Sequence, residues 1–192
     1  PLNPSQCAVG SGPGWNNYSI GDHSGTYSLY REATPSQDNL DGIIGLSDVA
    51  GAGYEDFAVL VRFSPDGVID VRDGGSYRAD KVMPYAAGLT YGIGVDIDIA
   101  DGVYSVSVSE SGTEAVLANN YRFRTEKSTI SSLSYMGMST ASGRIELCPA
   151  HTVGHKGASP VGTFAGQRRQ MRYRVFDTGG RLVHDEYPVH YG

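Results

Sequence analysis

The stretch VRFSPDGVIDVRDGG, residues 61–75, predicts two short strands joined by a tight turn. Pro65 has its φ preset for the first corner of a type I turn, and Asp66 suits the second corner. Gly67 can adopt the left-handed conformation that closes a three-residue hairpin loop with a bulge. This loop sets the register, in which Phe63 pairs with Ile69, Arg62 with Asp70, and Val61 with Val71.

The register gives the hairpin one apolar face and one largely charged face. The apolar side, which we expect to face the core, comprises Val61, Phe63, Ile69 and Val71. The opposite side comprises Leu60, Arg62, Asp70 and Arg72. A two-residue loop would set Arg62 against Ile69 and mix the two faces. Because side chains alternate along a strand, such mixing is incompatible with a half-buried sheet.

The rest of the chain also favours β-structure. Glycine accounts for 26 of the 192 residues, and glycine-bearing turns between short apolar runs are typical of an all-β chain. We expect about eleven to thirteen strands that begin after the polar opening at residues 11–25, with one short helical turn within 125–138. The economical arrangement is a two-sheet antiparallel β-sandwich. The length suits one domain, and we place its sandwich within residues 1–150.

Alternation is clearest between residues 91 and 109. One side of the first strand carries Tyr91, Ile93, Val95, Ile97 and Ile99, and the other carries Gly92, Gly94, Asp96 and Asp98. Asp101 and Gly102 form a hairpin turn signal. The return strand sets Tyr104, Val106 and Val108 against serines, so one face is predicted to be core and the other small and polar.

The charge and hydropathy of the chain exclude two classes of partner. Its formal net charge is −6, and its basic residues are spread along the chain. Nucleic-acid binding relies on a basic footprint, so we expect no nucleic-acid partner. No apolar run approaches the roughly 20 residues needed to cross a bilayer, so we expect no membrane span.

The two cysteines, Cys7 and Cys148, leave two alternatives open. They are either buried free thiols or a disulfide that ties the first strand to a late one, which we prefer and which implies an oxidising compartment. Closing so long a loop would stabilise the fold by about 4–5 kcal/mol in the chain-entropy model. Asn17 begins an N-glycosylation acceptor sequence. Pro1 is either the product of processing or the end of a trimmed chain.

Five segments in order resemble a known family of modules. They are ATPS at 33–36, DGIIGLSD at 41–48, VRFSPDGVIDVRDGGSY at 61–77, YRFRTE at 121–126 and GRIELC at 143–148. With these motifs, residues 26–148 resemble the laminin-G-like, concanavalin-A-like jelly rolls of secreted bacterial proteins. The resemblance implies a jelly-roll fold, secretion and an occurrence beside polysaccharide-active enzymes. It does not extend to residues 151–192, which we predict to form a glycine-rich connection and a β-hairpin turning at 177–180.

The resemblance also implies a concave sheet face on which a glycan could lie. Sugars are bound by planar polar groups and by aromatic rings. The candidate ligand-binding residues are Arg62, Asp70, Arg72 and Tyr77, joined by Asp96 and Asp98 if their strand neighbours this hairpin. The alternative is that Arg62 and Asp70 form an exposed cross-strand pair contributing about 0.2–1 kcal/mol.

Calcium is the candidate ion, because laminin-G-like folds often carry one. Carboxylates and carbonyl oxygens are its usual ligands. The candidate metal residues are Asp38, Asn39 and Asp41, with a second loop at Asp48, Glu55 and Asp56. Turn formation explains both stretches as well as a metal does, and neither stretch has the spacing of an EF-hand loop.

An enzymatic role has weaker support in the sequence. Jelly-roll polysaccharide lyases use tyrosine and histidine as acid and base. The C-terminal segment contains His184, Asp185, Glu186, Tyr187, His190 and Tyr191. The strand motifs expected of alginate lyases are absent from the sequence, and so are the G-x-S-x-G, metalloprotease and phosphate-loop motifs. We therefore name no catalytic residue.

Two functional hypotheses of different classes follow. The first is an extracellular, non-catalytic carbohydrate-binding jelly roll whose partner is a polysaccharide or another glycan. The second is a structural subunit that assembles with copies of itself into a filament or surface layer, by adding its C-terminal hairpin to a neighbour's sheet edge. Both place the protein outside the cell.

Overall fold

The computed structural model describes residues 6–149 and the backbone of two later strands. The chain divides into two compact units, Pro1–Thr152 and Val153–Gly192. The described residues form fourteen strands: β1 Ala8–Ser11, β2 Asn16–His23, β3 Thr26–Pro35, β4 Gly42–Ser47, β5 Val59–Phe63, β6 Ile69–Asp73, β7 Ser76–Arg78, β8 Tyr91–Asp98, β9 Val103–Glu110, β10 Thr113–Arg122, β11 Leu133–Thr140, β12 Arg144–Cys148, β13 Tyr173–Phe176 and β14 Leu182–Glu186. Short 3₁₀ turns lie at Tyr54–Asp56 and Thr125–Lys127.

The first unit is a sandwich of two six-stranded antiparallel sheets. The first sheet has the order β1-β12-β3-β8-β9-β10, and the second sheet has the order β2-β11-β4-β5-β6-β7. This is the predicted all-β, two-sheet jelly-roll sandwich. In the second unit, β13 pairs with β14 in an antiparallel two-stranded sheet. The turn predicted at residues 177–180 lies outside the described residues.

The hairpin of β5 and β6 has the predicted register, with Val61 opposite Val71, Arg62 opposite Asp70, and Phe63 opposite Ile69. Ser64 N donates to Val68 O at 2.9 Å and Gly67 N donates to Ser64 O at 3.0 Å, which closes the three-residue loop. Gly67 has φ of +76°, the left-handed conformation that the loop requires. The turn chemistry of the sequence therefore predicted this hairpin correctly.

The core lies between the two sheets and follows the predicted alternation. From the hairpin, Val61, Phe63, Ile69 and Val71 are all at most 2% exposed. The first sheet contributes the alternating apolar residues of β8 and β9, including Ile93, Val95, Val106 and Val108. Packing these faces against each other removes a continuous apolar surface from water, which stabilises the sandwich.

Three elements differ from the sequence prediction. β2 lies in the opening at residues 11–25, which we had expected to precede the strands, because β11 pairs with it and satisfies its backbone. The helical turn at Thr125–Lys127 is present, but most of the segment after it is β11, the strand between β2 and β4. The sequence YRADKVM at 77–83, followed by Pro84, also predicts a strand, but β7 ends at Arg78 and the described residues in the rest of this segment form only a single bridge, between Val68 and Pro84.

The predicted disulfide between Cys7 and Cys148 is present. It lies where β1 pairs with β12 at the margin of the first sheet, and its two cysteines are 141 residues apart in the chain. The bond therefore joins the first and last strands of the sandwich. Among the described residues there is no helix long and apolar enough to cross a membrane.

Candidate ligand-binding face

The four hairpin residues predicted to bind a ligand lie together on the outer face of the second sheet. Arg62 lies opposite Asp70 across β5 and β6, and Arg72 lies opposite Tyr77 across β6 and β7. Arg62, Asp70 and Arg72 alternate with buried core residues, and Tyr77 lies directly opposite Arg72, so all four side chains point away from the sandwich interior. The sequence prediction brought these residues together correctly, while their role in binding stays a prediction.

Arg62 and Asp70 form a two-point ion pair that is largely shielded from solvent. Arg62 Nε donates to Asp70 Oδ1 at 2.9 Å, and Arg62 Nη2 lies 2.5 Å from Asp70 Oδ2. Their side chains are only 23% and 13% exposed. The hydrogen bonds that Arg62 donates to Asp70 raise the pKa of Arg62 above its ordinary value. The pair is thus more enclosed than the freely exposed pair that we considered as an alternative.

Tyr77 lies between the two arginines of this face. The guanidinium carbon of Arg62 is 4.1 Å from the centre of its ring, and that of Arg72 is 5.2 Å away, both within cation–π range. The Tyr77 hydroxyl is buried and has no hydrogen-bond partner among the described residues. Burial raises the pKa of Tyr77 to about 12, so the ring stays neutral near pH 7.

A second set of aromatic residues covers the same face beside the charged row. We call it the outer cluster: Ile43, Phe57 and Leu60 are buried there, and Trp15 and Tyr77 pack against them. Trp15 stacks on Phe57 with ring centres 4.0 Å apart. Tyr54 meets Trp15 edge to face at 5.4 Å and is 49% exposed.

The outer cluster corrects one expectation from the sequence. Leu60 has the outward position that alternation gives it, but it is fully buried because Phe57 covers it. Phe57 comes from the irregular segment between β4 and β5, whose position the alternation of the strands cannot predict. The outer face is therefore an aromatic and charged surface rather than a simple charged row.

Glycines in the strands make room for Phe57. A Cβ added at Gly45 would lie 2.6 Å from Phe57 Cδ1, and one added at Gly137 would lie 2.5 Å from Phe57 Cε1. Both distances are too short for real contacts, so any side chain at either position would displace the ring. The ring can lie flat on the sheet only because these positions carry no side chain.

Asn17 fastens the segment that carries Phe57. Its Nδ2 donates to Gly51 O at 2.8 Å, and Gly51 N donates back to its Oδ1 at 3.0 Å. Asn17 is the residue that begins the N-glycosylation acceptor sequence. Its amide nitrogen already donates one hydrogen to Gly51 O in the fold, so a glycan attached there leaves this contact intact only if it replaces the other amide hydrogen.

Asp96 and Asp98 do not belong to this face. We expected them to join the hairpin residues only if their strand neighboured the hairpin. Both lie on β8, which is in the first sheet, whereas the hairpin is in the second. Asp96 Oδ1 accepts a hydrogen bond from Ser28 Oγ at 2.6 Å, and Asp98 Oδ1 accepts one from Asp101 N at 3.1 Å. The alternation placed them outward correctly, but sequence alone could not show which sheet contains β8.

The first candidate calcium loop has its side chains engaged in turns. Asp38 Oδ1 accepts a hydrogen bond from Ala87 N at 2.7 Å, and Asn39 Nδ2 donates to Pro65 O at 2.5 Å. Asn39 and Asp41 have positive φ of 54° and 48°, a conformation that Asn and Asp tolerate in turns. These contacts fit the turn-forming alternative that we raised for this stretch.

The second candidate loop is engaged in a similar way. Asp48 Oδ1 accepts a hydrogen bond from Lys127 Nζ at 2.8 Å. Asp56 accepts hydrogen bonds from the backbone of Ala52 and Gly53, which lowers its pKa. Within the described part of the chain, three metal-ligating atoms of His, Cys, Asp or Glu converge only at Cys7, Glu146 and Cys148, where the sulfurs are bonded to each other. Calcium binding stays a prediction.

The C-terminal residues considered for catalysis fall largely outside the described residues. His184, Asp185 and Glu186 lie on β14, of which only the backbone is described. Tyr187, His190 and Tyr191 lie outside the described residues.

A cleft of about 770 Å³ lies between the turn at Gly74 and Gly75 and the turn at Asp101 and Gly102. No feature of the sequence pointed to it.

Comparison with known proteins supports the fold. No protein-family model and no curated protein matches the chain. A sialidase structure matches with a TM-score of 0.50 and 12% identity, over 74% of this chain and 15% of the sialidase chain. Arcelin-5, a lectin-like defence protein from Phaseolus vulgaris, matches at 0.44 and 10%, over 76% and 92% of the two chains. Peanut lectin matches at 0.41 and 13%, over 76% and 94%.

At these identities the similarity concerns fold and not function. This chain spans about 15% of the sialidase chain that it matches. The match agrees with the two six-stranded antiparallel sheets of the sandwich. The chain is an all-β, two-sheet antiparallel jelly-roll sandwich.

Proposed function

We propose that this chain is an extracellular, non-catalytic carbohydrate-binding module that binds a polysaccharide on the outer face of its second sheet. The observation that carries the proposal is the juxtaposition on one face of accessible aromatic rings and fixed polar groups. Tyr54 and Trp15 offer ring surface, and Arg62, Asp70 and Arg72 offer planar hydrogen-bonding groups. Sugar rings present apolar C–H faces and hydroxyls, which need both kinds of partner.

The extracellular part of the proposal is supported by the disulfide. Cys7 and Cys148 are bonded to each other, and structural disulfides persist mainly in oxidising compartments. We propose secretion on this basis, together with the resemblance to modules of secreted proteins.

A glycan array followed by titration calorimetry tests the binding proposal. We expect the wild-type chain to bind at least one polysaccharide fragment on the array. Truncating Tyr54 or Tyr77 to alanine should weaken that binding about tenfold or more, because truncating an aromatic hot-spot residue of an interface costs about 2 kcal/mol or more. Tyr30→Ala is the matched control, since Tyr30 is 45% exposed but lies on the outer face of the first sheet.

Loss of binding in Tyr30→Ala with no loss in Tyr54→Ala would show that the glycan binds the first sheet, and the proposed position of the site would be wrong. An array without any bound glycan would overturn the function itself. The lyase alternative has a separate assay, in which the full chain is incubated with uronate polysaccharides and the ultraviolet absorbance of unsaturated products is followed. Accumulation of that product would replace the non-catalytic proposal with an enzymatic one.

The assembly hypothesis is favoured by one observation. Among the described strands, β13 and β14 pair only with each other, and a two-stranded hairpin alone is only marginally stable in water. Such a hairpin gains most by adding to a further strand. Light scattering after size-exclusion chromatography, with and without residues 153–192, separates the hypotheses: a monomer in both cases eliminates assembly, and a large species that depends on the tail supports it.

A further inference from the structure

We infer, on the basis of the proposed function, that the bound saccharide is acidic and that Arg72 binds its anionic group. That group is a carboxylate or a sulfate carried by a sugar ring. The inference concerns the outer face of the second sheet, and it depends on how the charges around Tyr77 are paired.

Three arginines surround Tyr77 closely enough to affect its ionisation: Arg62, Arg72 and Arg124. Two of the three are neutralised by carboxylates, with 2.5 Å between Arg62 Nη2 and Asp70 Oδ2 and 2.9 Å between Arg124 Nε and Glu126 Oε2. Arg72 forms no ion pair with any described residue of the chain.

The guanidinium of Arg72 is held in place by neutral groups. Its Nε donates to Gly74 O at 3.0 Å, and its central carbon, Cζ, lies 5.2 Å from the ring centre of Tyr77. The bond to Gly74 uses one N–H and leaves the two terminal nitrogens for another partner. A guanidinium fixed in this way loses little freedom when it binds a ligand, so the site is preorganised.

Tyr77 does not offset the remaining charge. Burial holds its hydroxyl in the neutral form near pH 7. The three arginines around Tyr77 and the two carboxylates paired with them therefore sum to one positive charge, in a protein whose formal net charge is −6. Because the net charge of the protein is negative, the molecule as a whole does not attract a polyanion, and an acidic saccharide must be bound by a local site.

The geometry suits an acidic sugar better than a neutral one. A planar guanidinium matches a carboxylate or sulfate with two parallel hydrogen bonds, which are stronger than bonds to a hydroxyl. The aromatic surface of Trp15 and Tyr54 lies on the same face and can receive the apolar side of neighbouring sugar rings. Arg72 would then set the position of the acidic ring along the face.

The test compares saccharides that share a backbone and differ in charge. Calorimetry would compare oligogalacturonate with its methyl-esterified form and a sulfated galactan with the same galactan after desulfation, alongside an array containing acidic and neutral pairs of other backbones. We expect the wild-type chain to prefer the acidic member about tenfold or more, because a hydrogen bond to a charged group contributes more than one between neutral groups. The carboxylated and sulfated arms identify which anionic group is bound.

Two variants of Arg72 and one control complete the test. Arg72→Gln should abolish the acidic preference, and Arg72→Lys should keep part of it, since lysine retains the charge without the planar fork. Arg144→Gln is the control, because Arg144 is an exposed arginine on β12 of the first sheet. Its affinities should equal those of the wild-type chain, and circular dichroism would verify that each variant is folded.

The possible failures of the two proposals can be told apart. Equal wild-type affinity for acidic and neutral members, with loss of binding in Tyr54→Ala, overturns the acidic inference and leaves the carbohydrate-binding function intact. An acidic preference that survives in Arg72→Gln also overturns the inference. An array on which no glycan is bound overturns both.

Discussion

Replacing Phe57 by alanine should destabilise the sandwich and expose its only tryptophan. Phe57 is fully buried in the outer cluster, and its ring fills the space that glycines leave above the second sheet. Truncation would remove the ring and leave a cavity that glycine positions cannot fill. Buried Phe→Ala substitutions typically destabilise by about 3–5 kcal/mol. For a chain of this size that corresponds to a melting temperature lower by about 6–20 °C, at about 2–4 °C per kcal/mol.

The sequence provides a built-in reporter for this change. Trp15 is the one tryptophan of the chain, and it stacks on Phe57 at 4.0 Å. Removing its partner exposes the indole, so we expect its emission to shift to longer wavelength in the folded state. Fluorescence emission below the melting transition would be recorded together with calorimetric melting curves. The matched control is Val116→Ala, because Val116 lies on β10 of the first sheet and is 46% exposed.

A Phe57→Ala variant with unchanged emission and an unchanged melting temperature would refute the reasoning. It would mean that Phe57 contributes no packing to the second sheet and that the outer cluster is not a stabilising part of the fold. A lower melting temperature with unchanged emission would refute only the stacking of Trp15. The control should leave both properties within experimental error of the wild-type values.

Four further predictions concern other parts of the molecule. Replacing Cys7 and Cys148 by serine should lower the free energy of unfolding by about 5 kcal/mol in the chain-entropy model, measured by urea unfolding; an unchanged midpoint would contradict it. Asn17→Ala should destabilise by about 1–3 kcal/mol, because two hydrogen bonds to Gly51 are lost, and wild-type stability in calorimetry would show that the bonds contribute nothing. Burial raises the pKa of Tyr77 to about 12, so the unfolded chain loses the hydroxyl proton at a lower pH than the folded chain does, and the free energy of unfolding should fall as the pH rises from about 10 to 12. Tyr77→Phe should reduce that fall, and an identical pH dependence of the two proteins would contradict the prediction. Deleting residues 153–192 should leave the melting temperature of the sandwich within about 2 °C of its original value, because all core residues in the described part of the chain lie within 8–147, and a larger fall would reveal stabilisation by the tail.

Much of the fold could be predicted from local chemistry. The loop at Pro65, Asp66 and Gly67 allows one register, and the alternation of residues 91–99 separates core from surface. In both cases the determining interactions lie close together in the sequence. β2 could not be recognised in the same way, because its residues are mostly polar or small and its strand state depends on pairing with β11.

The candidate face was predicted only in part, for a related reason. Arg62, Asp70, Arg72 and Tyr77 were found because their hairpin is a local structure. The aromatic half of the face was missed, because it arises from segments distant in the chain that converge on strand glycines. Gly45 illustrates the difficulty: glycine usually signals a turn, but here it marks a strand position on which a ring lies. The sequence gives no sign of which of these two meanings applies.

The disulfide also has a mechanical consequence. Because Cys7 and Cys148 lie at the two ends of the sandwich in the chain, a pull applied to the residues before the first and after the second passes through the sulfur atoms. The strands between them carry none of that tension and are not extended by it. Under load this module would behave as an inextensible link, and cleaving the bond with a reductant would release the intervening chain as slack that single-molecule stretching could measure.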